Sequence, residues 1–230
     1  MLLVSDYDGT IKKYYKDPTI FEKIDLKKEI KAINEFVNNG NIFTISTYRK
    51  TPSIKREIEK YKILYNYLTV YNGLVTLDKK DRVINAKYID NDVVKEIITI
   101  ATKKGFIDKV TLYNEYGITD SINNIIMIGI KCFVTFDIIN YIKNINTFYN
   151  YDRNSFWIHE QTDKVEAVNM LKDYLKIKEH EIYTIGDSEP DSEMVKRYNG
   201  HCIIKSDLDE FLYTTIPREK NVRSLIKKIK

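Results

Sequence analysis

The chain is predicted to be an α/β protein, a doubly wound parallel sheet of Rossmann type carrying an inserted α+β segment. Three observations predict this. Short apolar runs alternate with amphipathic helical stretches from the amino terminus to about residue 85, which argues for a parallel sheet. The first and last of the clear strand patterns each end in an acidic, glycine-containing turn, and the rhythm changes between Asp90 and Thr162.

Taken in order, Leu2-Leu3-Val4 is a buried strand broken at Asp6-Tyr7-Asp8-Gly9-Thr10. That places two carboxylates at its carboxyl end, where open α/β sheets carry their chemistry. Asp25 to Asn38 sets Leu26, Ile30, Ile33, Phe36 and Val37 at helical spacing, and Gly40 ends the helix. Asn41 to Ile45 is a second strand that delivers Ser46-Thr47-Tyr48-Arg49. Ser53 to Tyr61 is a helix with Pro52 near its start, and Tyr67 to Tyr71 a third strand.

From Asp90 the pattern gives a helix over Val93 to Lys104, strands over Lys109 to Tyr113 and Ile125 to Phe133, a helix over Phe136 to Thr147 and a strand over Ser155 to His159. Thr162-Asp163-Lys164 opens the amphipathic stretch Val165 to Leu175. Glu181 to Ile185 is a strand that ends in Gly186-Asp187-Ser188-Glu189-Pro190-Asp191, followed by a helix from Ser192 to Tyr198. The tail from Arg218 to Lys230 is expected as one basic amphipathic helix with Val222, Leu225, Ile226 and Ile229 inward.

The chemistry follows from the strand ends. If the first strand and the one before Gly186 are parallel neighbours, Asp6, Asp8, Asp187 and Asp191 converge on one edge. Carboxylates that close repel and have raised pKa values unless a cation lies among them, and Mg²⁺ takes hard oxygen ligands of this kind. An aspartate is also a competent nucleophile toward phosphorus. Ser46, Thr47 and Arg49 offer hydroxyls, backbone N–H groups and a fixed charge to a phosphate, and Lys164 adds an ammonium at a helix start.

Composition excludes several classes. Of 230 residues, 43% are hydrophobic, enough for a real core, and a net charge of +4 comes from lysine pairs such as Lys27-Lys28 and Lys79-Lys80 scattered among acids, so no nucleic acid is expected. The 18 tyrosines form no stacking pattern. Cys132 and Cys202 have no metal-ligand spacing and are expected as buried bystanders in a reducing compartment; the histidines, His159 among them, show no zinc spacing. The most apolar stretch, Ile125 to Ile139, is interrupted by Lys131 and Asp137 and falls short of the ~20 residues that span a bilayer. With acids near the amino terminus in place of a leader pattern, a cytoplasmic protein without membrane attachment is expected.

The ordered set DxDGT at Asp6, a strand ending in Ser46-Thr47, Lys164 opening a helix and GDxxxD at Asp187 resembles the four motifs of the haloacid dehalogenase-like (HAD) hydrolases. Tyr71-Asn72-Gly73-Leu74 resembles the NGA hairpin of the Cof-type branch, whose ATGR stands here as STYR; Tyr48 and Pro190 depart from that branch's pattern. The resemblance implies a HAD core over residues 1–87 and 157–230 and a C2-type cap over 88–156 that closes on the site and selects the leaving group. It further implies an aspartyl-phosphate phosphatase acting on a small phosphorylated metabolite such as a sugar phosphate, with Asp6 as nucleophile and Asp8 as acid and base. Gly9, Ser46, Thr47 and Lys164 would hold phosphate; Asp6, Asp8 (through its backbone carbonyl), Asp187 and Asp191 would serve Mg²⁺. Arg49, Asn72 and Ser188 are candidate substrate contacts. A phosphotransferase or mutase using the same intermediate, and a non-catalytic phosphometabolite-binding protein, are the alternatives. Tyr113, Glu115, Tyr116 and Lys131 are the cap candidates for specificity, and either a monomer or a homodimer fits the chain.

Overall fold

The structure is a computed structural model that describes residues 1–13, 19–131, 136–143, 147–152, 155–212 and 215–229. Cys132, the end of the strand expected to reach Phe133, part of the expected helix over 144–146 and Lys230 lie outside the described residues. The chain divides into two compact units: Met1–Arg49, Ser53–Ile84 and Asp163–Lys230 form the first, and Lys50–Pro52 with Asn85–Thr162 the second.

The first part of the chain runs β1 (Leu2–Ser5), α1 (Ile20–Asn38), β2 (Ile42–Ser46), α2 (Thr51–Tyr61), β3 (Tyr67–Val70), β4 (Val75–Asp78) and β5 (Val83–Ala86). Helix α1 starts five residues before the expected Asp25. The reason is a capping box at Thr19: its hydroxyl accepts from the Glu22 N–H, while the Glu22 carboxylate takes the Thr19 N–H at 2.6 Å.

Next come α3 (Asn91–Lys103), β6 (Val110–Asn114), β7 (Gly117–Thr119), β8 (Met127–Lys131), α4 (Phe136–Lys143), β9 (Thr147–Asp152) and β10 (Ser155–Glu160). Their five strands form a sheet ordered β7-β6-β8-β10-β9, each neighbouring pair antiparallel. Strand β9 was not expected, since Thr147 had been placed at a helix end. Its aromatic-rich sequence instead pairs along β10, from Thr147 opposite Glu160 to Asp152 opposite Ser155. One sheet face packs Ile128, Ile130, Phe156 and Ile158 against Val94, Ile97, Ile138 and Ile142 of α3 and α4. The opposite face carries Tyr113, Gly129 and Trp157, and Gly129 makes room for the indole: a Cβ there would lie 2.5 Å from it.

The chain then continues through α5 (Lys164–Leu175), β11 (Ile182–Gly186), α6 (Ser192–Arg197), β12 (Asn199–Ile203), α7 (Asp207–Leu212), β13 (Arg218–Glu219) and α8 (Val222–Ile229). The tail therefore begins as a strand, contrary to the single helix expected from Arg218, because Arg218 and Glu219 pair with Cys202 and Ile203 at the sheet edge. The sheet of the first unit is ordered β13-β12-β11-β1-β2-β3-β4-β5. Strand β1 is parallel to both β2 and β11, with Ser5 in register with Ile45 and Ile185. The two acidic turns thus leave adjacent strands at the same height. Leu2, Val4, Val168, Ile182 and Met194 pack into one of its cores. No helix among the described residues is long and apolar enough to cross a membrane.

Candidate active site

The carboxyl ends of β1 and β11 bring Asp6, Asp187 and Asp191 together, with one carboxylate oxygen of each within 4.8 Å of the others. All three side chains are buried. Two glycines make the approach possible. Gly9 has φ +85°, and a Cβ on it would sit 2.0 Å from Asp187 Oδ2; a Cβ on Gly186 would sit 2.3 Å from that of Asp191. Thr10 then donates its hydroxyl to Asp187 Oδ1 at 2.7 Å.

Lys164 enters from the first turn of α5, whose N-cap is Asp163, and is 1% exposed. Its ammonium bonds Asp6 Oδ1 and Asp191 Oδ1, both at 2.6 Å, so in this state it neutralises carboxylates. Asp191 Oδ2 accepts from the N–H groups of Asp187 and Ser188 and from the Ser188 hydroxyl, each at 3.1 Å. That leaves Asp6 Oδ2 buried with no partner.

One buried ammonium against three buried carboxylates leaves the cluster negative. Burial raises the Asp6 pKa well above the usual carboxylate range; Lys164 opposes this, and Asp191 and Asp187 reinforce it. Burial likewise raises Asp187, with Asp191 adding to it. Hard oxygen donors, surplus negative charge and an unpartnered oxygen fit a divalent cation such as Mg²⁺.

Asp8 stands outside this cluster. Both its oxygens are held by Arg49, at 2.6 Å from Nε and 2.7 Å from Nη2, a bidentate pair spanning 41 residues. Arg49, expected as a substrate contact, lies 5.2 Å over the Tyr7 ring and bonds Ser53 Oγ at 3.3 Å. Tyr7 in turn donates to Glu57, which also pairs with Lys12 at 2.6 Å.

Thr47 is buried at the end of β2, where its N–H donates to the Thr69 carbonyl and its hydroxyl accepts from the Arg49 N–H. Ser46 Oγ is buried without a partner, and so is Asn72 Oδ1; Asn72 sits at φ 56° with its N–H on the Thr47 carbonyl at 3.1 Å. Tyr48 is 58% exposed, and Pro190 is the middle residue of a single 3₁₀ turn over Glu189–Asp191 that presents Asp191.

In the second unit, Tyr113 is buried against Trp157, and the Lys50 ammonium lies 3.7 and 4.3 Å from the two ring centroids. Burial pulls the Lys50 pKa down to about 8. Glu115 is buried and accepts from the Tyr88 hydroxyl, whereas Tyr116 and Lys131 are exposed.

Sequence reasoning gave no role to Thr10, although the motif containing it was in view, and none to Tyr7, Glu57 or Lys50. Only the threonine had a usable signal, its place directly after the DxDG turn.

A model of the haloacid dehalogenase-like hydrolases matches residues 3–156 and 130–210. The chain belongs to that family. Among solved structures, the hydrolase resembles TM0651 from Thermotoga maritima (TM-score 0.76, 16% identity, 100% of this chain and 97% of that one). It also resembles the phosphatase BT1666 from Bacteroides thetaiotaomicron (TM-score 0.70, 16% identity, 99% and 93% covered). A third likeness is to the HAD subclass IIB sugar phosphatase BT4131 (TM-score 0.65, 16% identity, 99% and 97% covered). At these identities the likeness is one of fold. No curated protein matches the sequence.

Proposed function

We propose that the hydrolase is a Mg²⁺-dependent phosphomonoesterase that cleaves a small phosphorylated metabolite, a sugar phosphate in the first instance, in the cytoplasm. The observation that carries this reading is Asp6 Oδ2, a buried carboxylate oxygen without a partner whose twin is held by Lys164. The likeness in fold to the subclass IIB sugar phosphatase supports the substrate class.

Asp6 Oδ2 attacks phosphorus in line, and the bond to the leaving oxygen breaks as Asp8 supplies that oxygen's proton. Water then attacks the phosphoryl group on Asp6, with Asp8 taking its proton. Because Arg49 holds both Asp8 oxygens, one of those hydrogen bonds gives way when Asp8 carries the proton, and the guanidinium keeps the carboxyl aimed. The Thr47 hydroxyl, the Ser46 backbone and Lys164 hold the phosphoryl oxygens, over which charge spreads in a loose transition state; the Gly9 N–H, which donates to the Lys12 carbonyl at 2.8 Å, has to leave that bond before it can join them. Asn72 and Ser188 border this phosphate position.

Asp6, Asp187 and Asp191 with the Asp8 carbonyl would hold Mg²⁺, which when bound supplies positive charge against the phosphoryl oxygens. We assign residues 88–156 as the module that selects the leaving group. The test is hydrolysis of p-nitrophenyl phosphate with Mg²⁺ by the parent and by Asp6→Asn. Turnover by the variant at the parental rate would show that the nucleophile is misassigned.

A further inference from the structure

A cavity of about 420 Å³ lies beside the turn that follows β1, within the ~300–1,000 Å³ typical of small-molecule sites. Ile11, Leu26 and Tyr61 form apolar wall, and Thr10, Lys13 and Glu29 are polar lining. None of the four site aspartates lines it. Glu29 is 3% exposed; its Oε1 accepts the Arg223 N–H at 3.0 Å, while Oε2 is buried without a partner. A carboxyl oxygen left so costs ~1–3 kcal/mol, and a ligand group that satisfied it would recover that.

The charges around the cavity favour an anion. Among the described residues five lysines line it against three carboxylates; Lys12 is paired with Glu57 at 2.6 Å, which leaves four lysines, and two of the three carboxylates are engaged as well: Glu22 caps α1 through the Thr19 N–H, and Asp25 pairs with Arg223 at 3.0 Å. The third is Glu29. Burial pushes its pKa up to about 7, so it is present both as carboxylate and as neutral acid near neutral pH. A hydroxyl suits either form, since it donates to the first and accepts from the second.

We propose that this cavity is a second ligand site, for a small organic anion with a hydroxyl at the end remote from its charge. The hydroxyl meets Glu29 Oε2, the body lies on Ile11, Leu26 and Tyr61, and the anionic head is met by the lysines. Thr10 lines the cavity and also bonds Asp187, so an occupant bears on the acidic cluster through one side chain.

Calorimetric titration tests the proposal with 4-hydroxybenzoate, and with 4-hydroxyphenylphosphonate to separate a carboxylate head from a phosphate-like one. Saturable one-to-one binding of either probe is expected. Benzoate, lacking the hydroxyl, should bind at least tenfold more weakly. Leu26→Trp, which fills the cavity, and Glu29→Gln should each weaken the better probe tenfold or more, with far-ultraviolet circular dichroism unchanged. Saturating inorganic phosphate with Mg²⁺, which would fill the proposed catalytic site, should leave the affinity of the better probe unchanged, and this separates the two sites; displacement of the probe by phosphate would overturn the proposal. Absence of saturable binding, equal binding of benzoate, or affinity untouched by Leu26→Trp and Glu29→Gln would overturn the proposal.

Discussion

At the scale of single residues, the proposed activity depends on which groups near Asp6 are already hydrogen-bonded. Asp6→Asn keeps the shape of the side chain but not its nucleophilicity, so turnover should fall by roughly 10³-fold or more in a steady-state assay. Gly9→Ala has two faults at once, a φ of +85° and a methyl 2.0 Å from Asp187 Oδ2. It should abolish turnover and lower the unfolding midpoint, both readable on one preparation. Arg49→Ala frees the Asp8 carboxyl to rotate and should lower kcat more than it raises KM, whereas a role confined to substrate binding would raise KM alone. The Asp8–Arg49 pair also marks a boundary of sequence reading. The acids at strand ends were legible because a strand that stops at glycine has one outcome. A contact across 41 residues depends on rotamers and register that no local pattern encodes.

At the scale of elements, the most testable contact joins α1 to α8. Glu29 near the middle of α1 accepts the N–H of Arg223 in the first turn of α8, and burial holds its pKa at about 7 against an ordinary 4.5. Arg223 and the backbone N–H groups of α8 oppose that rise, and Asp25 adds to it. The folded state therefore binds a proton that the unfolded state releases between these values. Its contribution is full below about pH 4.5 and is lost as pH rises through about 7, amounting to at most about 3 kcal/mol. Glu29→Gln should flatten the denaturant midpoint across this window relative to the parent; an unchanged slope would contradict the buried-acid reading. Legibility was uneven here too. The helical spacing of α1 was plain, but its start at Ile20 was missed because the Thr19 capping box lies ahead of the apolar stripe. Strand β9 and the short β13 were missed because each owes its conformation to a partner strand.

At the scale of the whole molecule, the parallel run of β1 between β2 and β11 makes one site from residues 181 positions apart, Asp6 and Asp187. That meeting was legible because the two acidic turns follow similar strands; the cavity beside α1 was not, because it is bounded by segments with no shared motif. A ligand that binds only the folded chain stabilises it by ~2.7 kcal/mol at a hundredfold excess over Kd. Magnesium should accordingly raise the thermal midpoint of the parent by several degrees, shift Asp187→Asn much less, and lose its effect on addition of a chelator. The most direct measurement is acid quenching during turnover followed by peptide mass mapping. A peptide containing Asp6 heavier by one phosphoryl group, absent from Asp6→Asn, is the predicted result. Phosphate release from the parent with that peptide unmodified at every time point, or the added mass on any other residue, would contradict the account.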